Sequence, residues 1–266
     1  MGRGVMIQDI TAVFNQLVLW VTQYRMALLF VACAALGAAG AWLIAGIPFR
    51  EHLLDSPNER SSHTEPTPRG GGVGILAAFI VAGLTLRIPT TFLFAAVFVS
   101  AVSFYGDFFR LSVRFRFLAQ LFAALVFLFP ILPALSAHYA ASTFGFSPFL
   151  FFLILLLIVV FMIGTANFYN FMDGINGIAG LSGAIAFGLL GAYTLYYAPL
   201  YGYREQMSLL SVCIALACMG YLPFNLPRAR VFMGDVGSIL LGFVFAALVI
   251  LLARNYQEMA CFAALL

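Results

Sequence analysis

Three aspartates stand in short polar segments between long apolar runs, and each has a glycine as its neighbour in the chain. They are Asp107, Asp173 and Asp235. One carboxylate of such a set can hold a divalent cation, and others can position or deprotonate an acceptor phosphate. Simpler roles remain open, because Asp107 is followed by arginines that it could pair with and Asp235 could cap the helix that follows it.

The segment 167–177 carries amides and a carboxylate at three-residue intervals, at Asn167, Asn170, Asp173 and Asn176. If the segment is helical, this spacing places them on one face. Leaving that face in hydrocarbon would cost roughly 2.5–3.5 kcal/mol for the aspartate alone. The face therefore meets a polar cavity or another loop, where its oxygens suit Mg²⁺ or a nucleotide. A helix-capping cluster is the alternative.

The polar segment 51–72 combines basic residues with a run of three glycines. Arg60 and Arg69 can neutralise phosphate, and the glycines at 70–72 let backbone N–H groups approach an anion at the start of the next helix. It is not a P-loop, because the G-K-[ST] ending is absent. A polar connector with a flexible hinge is the alternative, and His63 is as suited to a loop hydrogen bond as to catalysis.

The elements that must position these residues are membrane helices. Of 266 residues, 64% are hydrophobic and 9% charged, whereas soluble domains are about 25% charged. We predict an all-α, polytopic helical bundle with residues 1–27 as an interfacial segment and 28–266 as one membrane domain. The predicted spans are 28–47, 73–88, 90–105, 117–135, 149–166, 178–197, 207–223 and 238–253, with a ninth starting near Met259 and the chain ending at Leu266.

The arginines of the loops divide unequally between the two sides. Eight lie in one alternate set of loops and three in the other, which places the first set in the cytoplasm. The segments 51–72, 106–116, 167–177 and 225–237 all fall on that side. This arrangement suits an enzyme with a soluble substrate, whereas a carrier or pore would place ionisable groups inside the spans. The net charge of +3 is too small to indicate nucleic acid.

Three stretches in this order resemble the polyprenyl-phosphate N-acetylhexosamine-1-phosphate transferase family. They are D-S-P-N-E-R-S-S-H-T-E-P-T-P-R-G-G-G at 55–72, N-F-Y-N-F-M-D-G-I-N-G-I-A-G at 167–180 and F-M-G-D-V-G-S at 232–238. The family includes enzymes that start O-antigen and enterobacterial common antigen synthesis and the phospho-MurNAc-pentapeptide translocase. The wording of the second and third stretches is closer to the O-antigen-initiating branch.

The resemblance implies transfer of a sugar-1-phosphate from a UDP-sugar to polyprenyl phosphate, with release of UMP. It implies a bacterial cytoplasmic membrane and Mg²⁺, or Mn²⁺, at Asp235; a homodimer is compatible with it. Asp107 and Asp173 are the predicted catalytic residues. The predicted substrate-binding residues are Arg60, His63, Thr67, Arg69, Asn167, Asn170 and Asn176.

Three departures from the family pattern leave a second interpretation open. An adjacent acid pair appears as Gly106-Asp107, the second acid of D-G-x-D-G appears as Asn176, and the His-rich loop after the ninth span is absent. The chain is therefore interpreted as a family member that is either truncated at its C-terminus or catalytically weakened. Either it is an active transferase or it is a catalytically impaired homologue that keeps the fold.

Overall fold

The computed structural model describes residues 2–46, 54–55, 66–109, 111–140, 147–197 and 202–265. Within those ranges the chain is almost entirely helical, which confirms the predicted all-α bundle. The two strands, β1 (Leu54–Asp55) and β2 (Thr67–Pro68), form one short antiparallel pair. The helices are α1 (Gly2–Gly46), α2 (Val73–Leu86), α3 (Thr90–Phe109), α4 (Val113–Leu128), α5 (Leu132–Ala140), α6 (Pro148–Met172), α7 (Ile178–Tyr197), α8 (Tyr203–Tyr221), α9 (Gly234–Leu252) and α10 (Tyr256–Ala263).

Seven helical segments among the described residues are long and apolar enough to cross a membrane. The count of eight predicted spans is thus close but not exact, because α2 is apolar yet only 14 residues long. A 14-residue helix rises about 21 Å, less than the roughly 30 Å of hydrocarbon that a full span crosses. The chain is a multi-pass membrane protein. Residues 2–27 are helical and continuous with the rest of α1, and the interfacial placement of 1–27 stays a prediction.

Several helices extend beyond the predicted span ends and take polar residues with them. Asp107 lies in the last turn of α3 rather than after it, and Asn167 and Asn170 lie in the last two turns of α6. Asp235 lies in the first turn of α9 and is not its N-cap, a position that Met233 holds. A hydropathy pattern ends a span at its first polar residue, whereas here these residues hydrogen-bond to other helices and the helix continues through them.

The centre of the bundle is α9. In its most apolar stretch 83% of residues are buried, against 17% for α6 at the periphery. It packs against α3 on one side and α6 on another, and the Ser100 hydroxyl of α3 donates a hydrogen bond to the Val236 carbonyl at 2.6 Å. A helix surrounded in this way needs no polar face, which explains why α9 is apolar all round after its first turn.

Helix α8 packs closely against α1 through small residues. A Cβ added to Gly220 would overlap the Ala34 carbonyl oxygen and lie 2.9 Å from the carbonyl carbon. Both obstructing atoms belong to the α1 backbone, which cannot turn aside as a side chain could. Close backbone approach at small residues is a common way for membrane helices to associate.

We expect Gly220→Ala to destabilise the bundle by about 1–3 kcal/mol, because α1 and α8 must separate to admit the methyl group. The measurement is the midpoint of thermal unfolding of the detergent-purified chain. Gly164→Ala is the matched control, since a Cβ at Gly164 in α6 meets nothing within 4 Å. A midpoint for Gly220→Ala equal to that of the control would contradict this account of the α1–α8 contact.

Candidate active site

The described parts of the four polar segments meet at one end of the bundle, as the sequence predicts. The backbone of residues 232–235 is the meeting point. The N–H groups of Gly70 and Gly71 donate to the Phe232 carbonyl at 3.1 and 2.9 Å, and the N–H of Gly72 donates to the Met233 carbonyl at 2.8 Å. The glycine run therefore binds the loop before α9 through its backbone N–H groups.

Asp173 joins the end of α6 to the same segment. Its Oδ1 accepts the N–H of Met233 at 3.2 Å and its Oδ2 accepts the N–H of Gly234 at 2.8 Å. Removal from water raises the pKa of Asp173 to about 7, although both backbone N–H groups and the charge of Arg69 act in the opposite direction. Gly234 has φ +75°, a left-handed conformation that suits glycine, and a Cβ there would lie 2.7 Å from the Gly70 nitrogen.

Asp235 has hydrogen bonds to both of its carboxylate oxygens. Arg116 donates from Nη1 to Oδ2 at 2.5 Å, and Asn170 donates from Nδ2 to Oδ1 at 2.6 Å. The side chain of Asp235 is 13% exposed and that of Arg116 is 36% exposed. Asn170 also donates to the Ser238 hydroxyl at 3.1 Å. The first turn of α9 is thereby bonded to the first turn of α4 and the last turn of α6.

Asp107 contacts the same turn through the backbone. Its Oδ2 accepts the N–H of Asp235 at 3.1 Å. The charges of Asp235, Arg69 and Arg116 act on it. Among the described residues, three carboxyl groups thus share this region with two guanidinium groups. The oxygen atoms of carboxyl groups are the ligands that hard cations such as Mg²⁺ prefer.

Two cavities open beside Asp235, and they share that residue and Asn170. The first has a volume of about 280 Å³ and the second about 220 Å³. The first is lined by Arg69, Asn170, Phe171, Asp173, Gly174, Phe232, Gly234 and Asp235. The second is lined by Ser103, Val113, Arg116, Phe117, Gln120, Asn167, Asn170, Asp235 and Ile239. We call them the α9-loop cavity and the α4 cavity.

Asn167 lines the α4 cavity but its amide is engaged by protein. Its Nδ2 donates to Gln120 Oε1 at 2.7 Å and to the Ile163 carbonyl at 2.8 Å, and Gln120 Nε2 donates back to Asn167 Oδ1 at 3.5 Å. Gln120 is 4% exposed. This pair ties α4 to α6 one turn away from the contacts of Arg116 and Asn170 with Asp235.

The other predicted site residues have different surroundings. Arg69 lines the α9-loop cavity, whereas Thr67 is buried in β2 and lines neither cavity. Asn176 also lines neither cavity, and its Nδ2 donates to the Pro227 carbonyl at 3.5 Å. Arg60 and His63 lie outside the described residues. A side chain at Gly106 would face Arg116, because a Cβ there would lie 3.3 Å from the Nε of that arginine.

Three residues of the site are not among those predicted from the sequence. From the sequence, Arg116 is only one of the loop arginines that indicate topology and that Asp107 could pair with. Gln120 has a usable signal, since it is the one amide in the predicted span 117–135 and a polar residue within a span marks a functional or packing contact. Asn225 accepts the Gly177 N–H at 2.5 Å and donates to the Val231 carbonyl at 2.9 Å, a contact between two loops that no local pattern reveals.

The donor set around Asp235 fits Mg²⁺ or Mn²⁺ better than zinc. Among the described residues, no group of three or more His, Cys, Asp or Glu surrounds a metal position. Mg²⁺ does not need one, because it commonly takes one or two carboxylates and completes its shell with water and substrate phosphates. Asp235 supplies a carboxylate, and the amide of Asn170 adjoins it.

Several known proteins are similar to part of this chain. Decaprenyl-phosphate N-acetylglucosaminephosphotransferase of Mycobacterium tuberculosis (strain ATCC 25618 / H37Rv) is 46% identical over 57 residues, 21% of this chain and 12% of that protein. Phospho-N-acetylmuramoyl-pentapeptide-transferase of Bifidobacterium animalis subsp. lactis is 41% identical over 54 residues, 20% of this chain and 15% of that protein. The corresponding protein of Bifidobacterium longum (strain NCC 2705) is 49% identical over 43 residues, 16% and 12% of the two chains.

These similarities are local, and each spans less than a sixth of the relative's length. A broader match comes from the sequence model of glycosyl transferase family 4, which covers residues 89–253. That range contains Asp107, Asp173 and Asp235 and the helices that bring them together. Because it spans more than half of the 266 residues, the chain belongs to glycosyl transferase family 4.

Proposed function

We propose that this protein transfers a sugar-1-phosphate from a UDP-sugar to a polyprenyl phosphate and releases UMP, at the start of cell-envelope polysaccharide synthesis. The observation that carries the proposal is the position of Asp235, which lines two adjacent cavities of different character. A reaction between a soluble diphosphate and a lipid phosphate needs two such sites with one shared set of polar groups.

The α9-loop cavity suits the diphosphate of the nucleotide sugar. Arg69 supplies a guanidinium that can bind two phosphate oxygens at once. The exposed ring of Phe171 also lines this cavity. The two cavities share Asp235 and Asn170. Both residues lie at helix ends, which the loop contacts hold in place. The bound phosphorus would therefore lie close to the second substrate.

The α4 cavity suits the phosphate of the lipid. Arg116 is its charged group, while Val113 and Phe117 form an apolar wall and are 82% and 49% exposed. Exposed apolar side chains on a membrane helix face lipid, so this wall continues the bilayer surface. A phosphate could contact Arg116 while its isoprenoid chain remains in hydrocarbon.

In the proposed reaction an oxygen of the polyprenyl phosphate attacks the sugar-bound phosphorus of the UDP-sugar. A new P–O bond forms, the bond from that phosphorus to the bridging oxygen breaks, and UMP leaves with that oxygen. Arg69 and Arg116 would hold the two anions, whose repulsion otherwise opposes their approach. Mg²⁺ or Mn²⁺ held by Asp235 and the Asn170 amide oxygen would neutralise phosphate charge and stabilise the leaving group.

Asp107 and Asp173 stay predicted catalytic residues in this scheme. The hydrogen bonds that they accept come from the backbone of residues 233–235, so each also fixes the position of Asp235. Further parts of the proposal are a bacterial cytoplasmic membrane, a cytoplasmic site and, where two copies associate, a homodimer. The names of the relatives, a decaprenyl-phosphate N-acetylglucosaminephosphotransferase and a phospho-N-acetylmuramoyl-pentapeptide-transferase, support the transfer of a sugar phosphate.

We expect the detergent-purified chain to release UMP from a UDP-N-acetylhexosamine in the presence of undecaprenyl phosphate and Mg²⁺, and to stop when Mg²⁺ is chelated. Asp235→Asn should lower the rate at least about a hundredfold, because the carboxylate shared by both cavities is lost. Glu205→Gln is the matched control, since Glu205 is a carboxylate of α8 at the opposite end of the bundle. UMP release is measured by liquid chromatography.

A folded sample that releases no UMP from UDP-GlcNAc, UDP-QuiNAc, UDP-FucNAc or UDP-MurNAc-pentapeptide would contradict the proposal. Equal losses in Asp235→Asn and Glu205→Gln would contradict the assignment of the site. Release that does not depend on the lipid would indicate hydrolysis instead of transfer.

We expect Asn176→Asp to lower the thermal midpoint and to leave the rate of UMP release no higher than in the unchanged chain. The reason is that residue 176 lies beside the Pro227 carbonyl and lines neither cavity, so a carboxylate there adds repulsion without reaching substrate. Asn176→Ala controls for loss of the amide without added charge. A clear rise in rate for Asn176→Asp would show that the amide at this position limits the enzyme.

A further inference from the structure

We propose that Arg116 is an internal competitor of the divalent cation for Asp235, so that the metal binds only when the guanidinium leaves the carboxylate. This rests on the proposed function in one respect, the use of Asp235 as the metal ligand. The competition itself follows from how the two side chains meet.

The carboxylate of Asp235 offers a cation no oxygen that lacks a partner. Arg116 holds Oδ2 at 2.5 Å and Asn170 holds Oδ1 at 2.6 Å. The side chain is only 13% exposed, so an approaching cation has little other surface of the carboxylate to use. A metal ion at Oδ2 would lie against the guanidinium, and two positive charges at contact repel strongly in a region screened from water.

Asn170 poses no such conflict. Its amide can present oxygen instead of nitrogen by a half-turn of the side chain, and it then becomes a ligand instead of a donor. A guanidinium has donors only and cannot make that change. Of the two partners of Asp235, Arg116 is the one that the cation must displace.

Few contacts hold the Arg116 side chain at Asp235. Apart from its bond to Asp235, the Arg116 side chain donates one hydrogen bond to the described residues, from Nη2 to the Gly106 carbonyl at 3.3 Å. Its buried Nε has no hydrogen-bond partner among those residues. The side chain is 36% exposed and already lines the α4 cavity. A displaced guanidinium can move within that cavity, where an anion can replace Asp235 as its partner.

The alternative is that Arg116 supports metal binding, and it predicts the opposite change in metal affinity when Arg116 is replaced. Hydrogen bonds to a metal-binding carboxylate often orient it, and their removal then weakens metal affinity tenfold or more. If Arg116 acts in this way, its loss weakens metal binding. If it competes, its loss leaves Asp235 and Asp107 with less compensating charge and strengthens metal binding. The sign of one affinity change separates the two.

The experiment measures Mn²⁺ binding to the detergent-purified full chain without substrates, from the electron paramagnetic resonance signal of free Mn²⁺. We expect Arg116→Gln to lower the Mn²⁺ Kd by roughly tenfold or more, because a unit charge next to the cation is removed. Arg116→Lys, which keeps the charge but loses the planar fork, should fall between this variant and the unchanged chain. Arg114→Gln is the matched control, since Arg114 is exposed on the same turn of α4, and its Kd should change less than about twofold.

A Kd for Arg116→Gln equal to or higher than that of the unchanged chain overturns the proposal of competition. If Arg114→Gln tightens binding as much as Arg116→Gln, the effect is one of general charge and the proposal also fails. Asp235→Asn should abolish saturable binding. If the unchanged chain and every variant lack saturable binding, the metal assignment of the proposed function fails and the competition fails with it.

Thermal unfolding supplies a second readout for variants of altered stability. Without Mn²⁺, Arg116→Gln should unfold at a lower temperature than Arg114→Gln, because Asp235 has lost its ion pair. Added Mn²⁺ should raise the midpoint of Arg116→Gln by more than that of the unchanged chain, since a tighter ligand stabilises the folded state more at the same concentration. A smaller rise overturns the proposal.

Discussion

The structure of the site depends on the four-residue segment 232–235 and on the backbone hydrogen bonds that it makes. Its carbonyls accept N–H groups from the glycine run at 70–72, and its N–H groups are accepted by Asp173 and Asp107. Buried backbone groups must be paired, so this segment could not hold its shape in a membrane protein without those three partners. Each loop therefore completes the hydrogen bonding of another, and none of them has its observed conformation independently.

This arrangement also explains how carboxylates can remain at the end of an apolar bundle. An isolated buried carboxylate is strongly unfavourable, yet Asp173 and Asp107 accept backbone N–H groups and Asp235 pairs with Arg116. Within the described part of the site, Asp235 pairs with a guanidinium, whereas Asp107 and Asp173 bind backbone N–H groups. The protein thus keeps enough polar contact to fold and carboxylate oxygens that can bind a cation. A site with every charge paired would be more stable and less able to bind metal.

The sequence predicts the parts of the site better than their contacts. Positive-inside counting and segment composition place four polar loops at one end, and the structure brings their described parts together there. Helix ends are predicted too early, since Asn170 and Asp107 read as loop residues when their surroundings are taken to be lipid. The contact of Arg116 with Asp235 joins residues 119 positions apart, and that of Gln120 with Asn167 joins residues 47 apart. Such pairs follow from how α4, α6 and α9 pack, which local periodicity does not specify.

The packing of the helices and the geometry of the site are parts of one arrangement. Arg116 and Gln120 are four residues apart on α4, and Asn167 and Asn170 are three apart on α6, so each pair occupies one face of its helix. The Gln120–Asn167 contact sets the distance between these faces. One turn nearer the start of α4 and the end of α6, Asp235 binds both Arg116 and Asn170. A shift of α4 relative to α6 would therefore separate Arg116 or Asn170 from the carboxylate. The Gln120–Asn167 amide pair thus places two polar groups on one aspartate, and an apolar pair would lack the directional hydrogen bonds needed to fix that register.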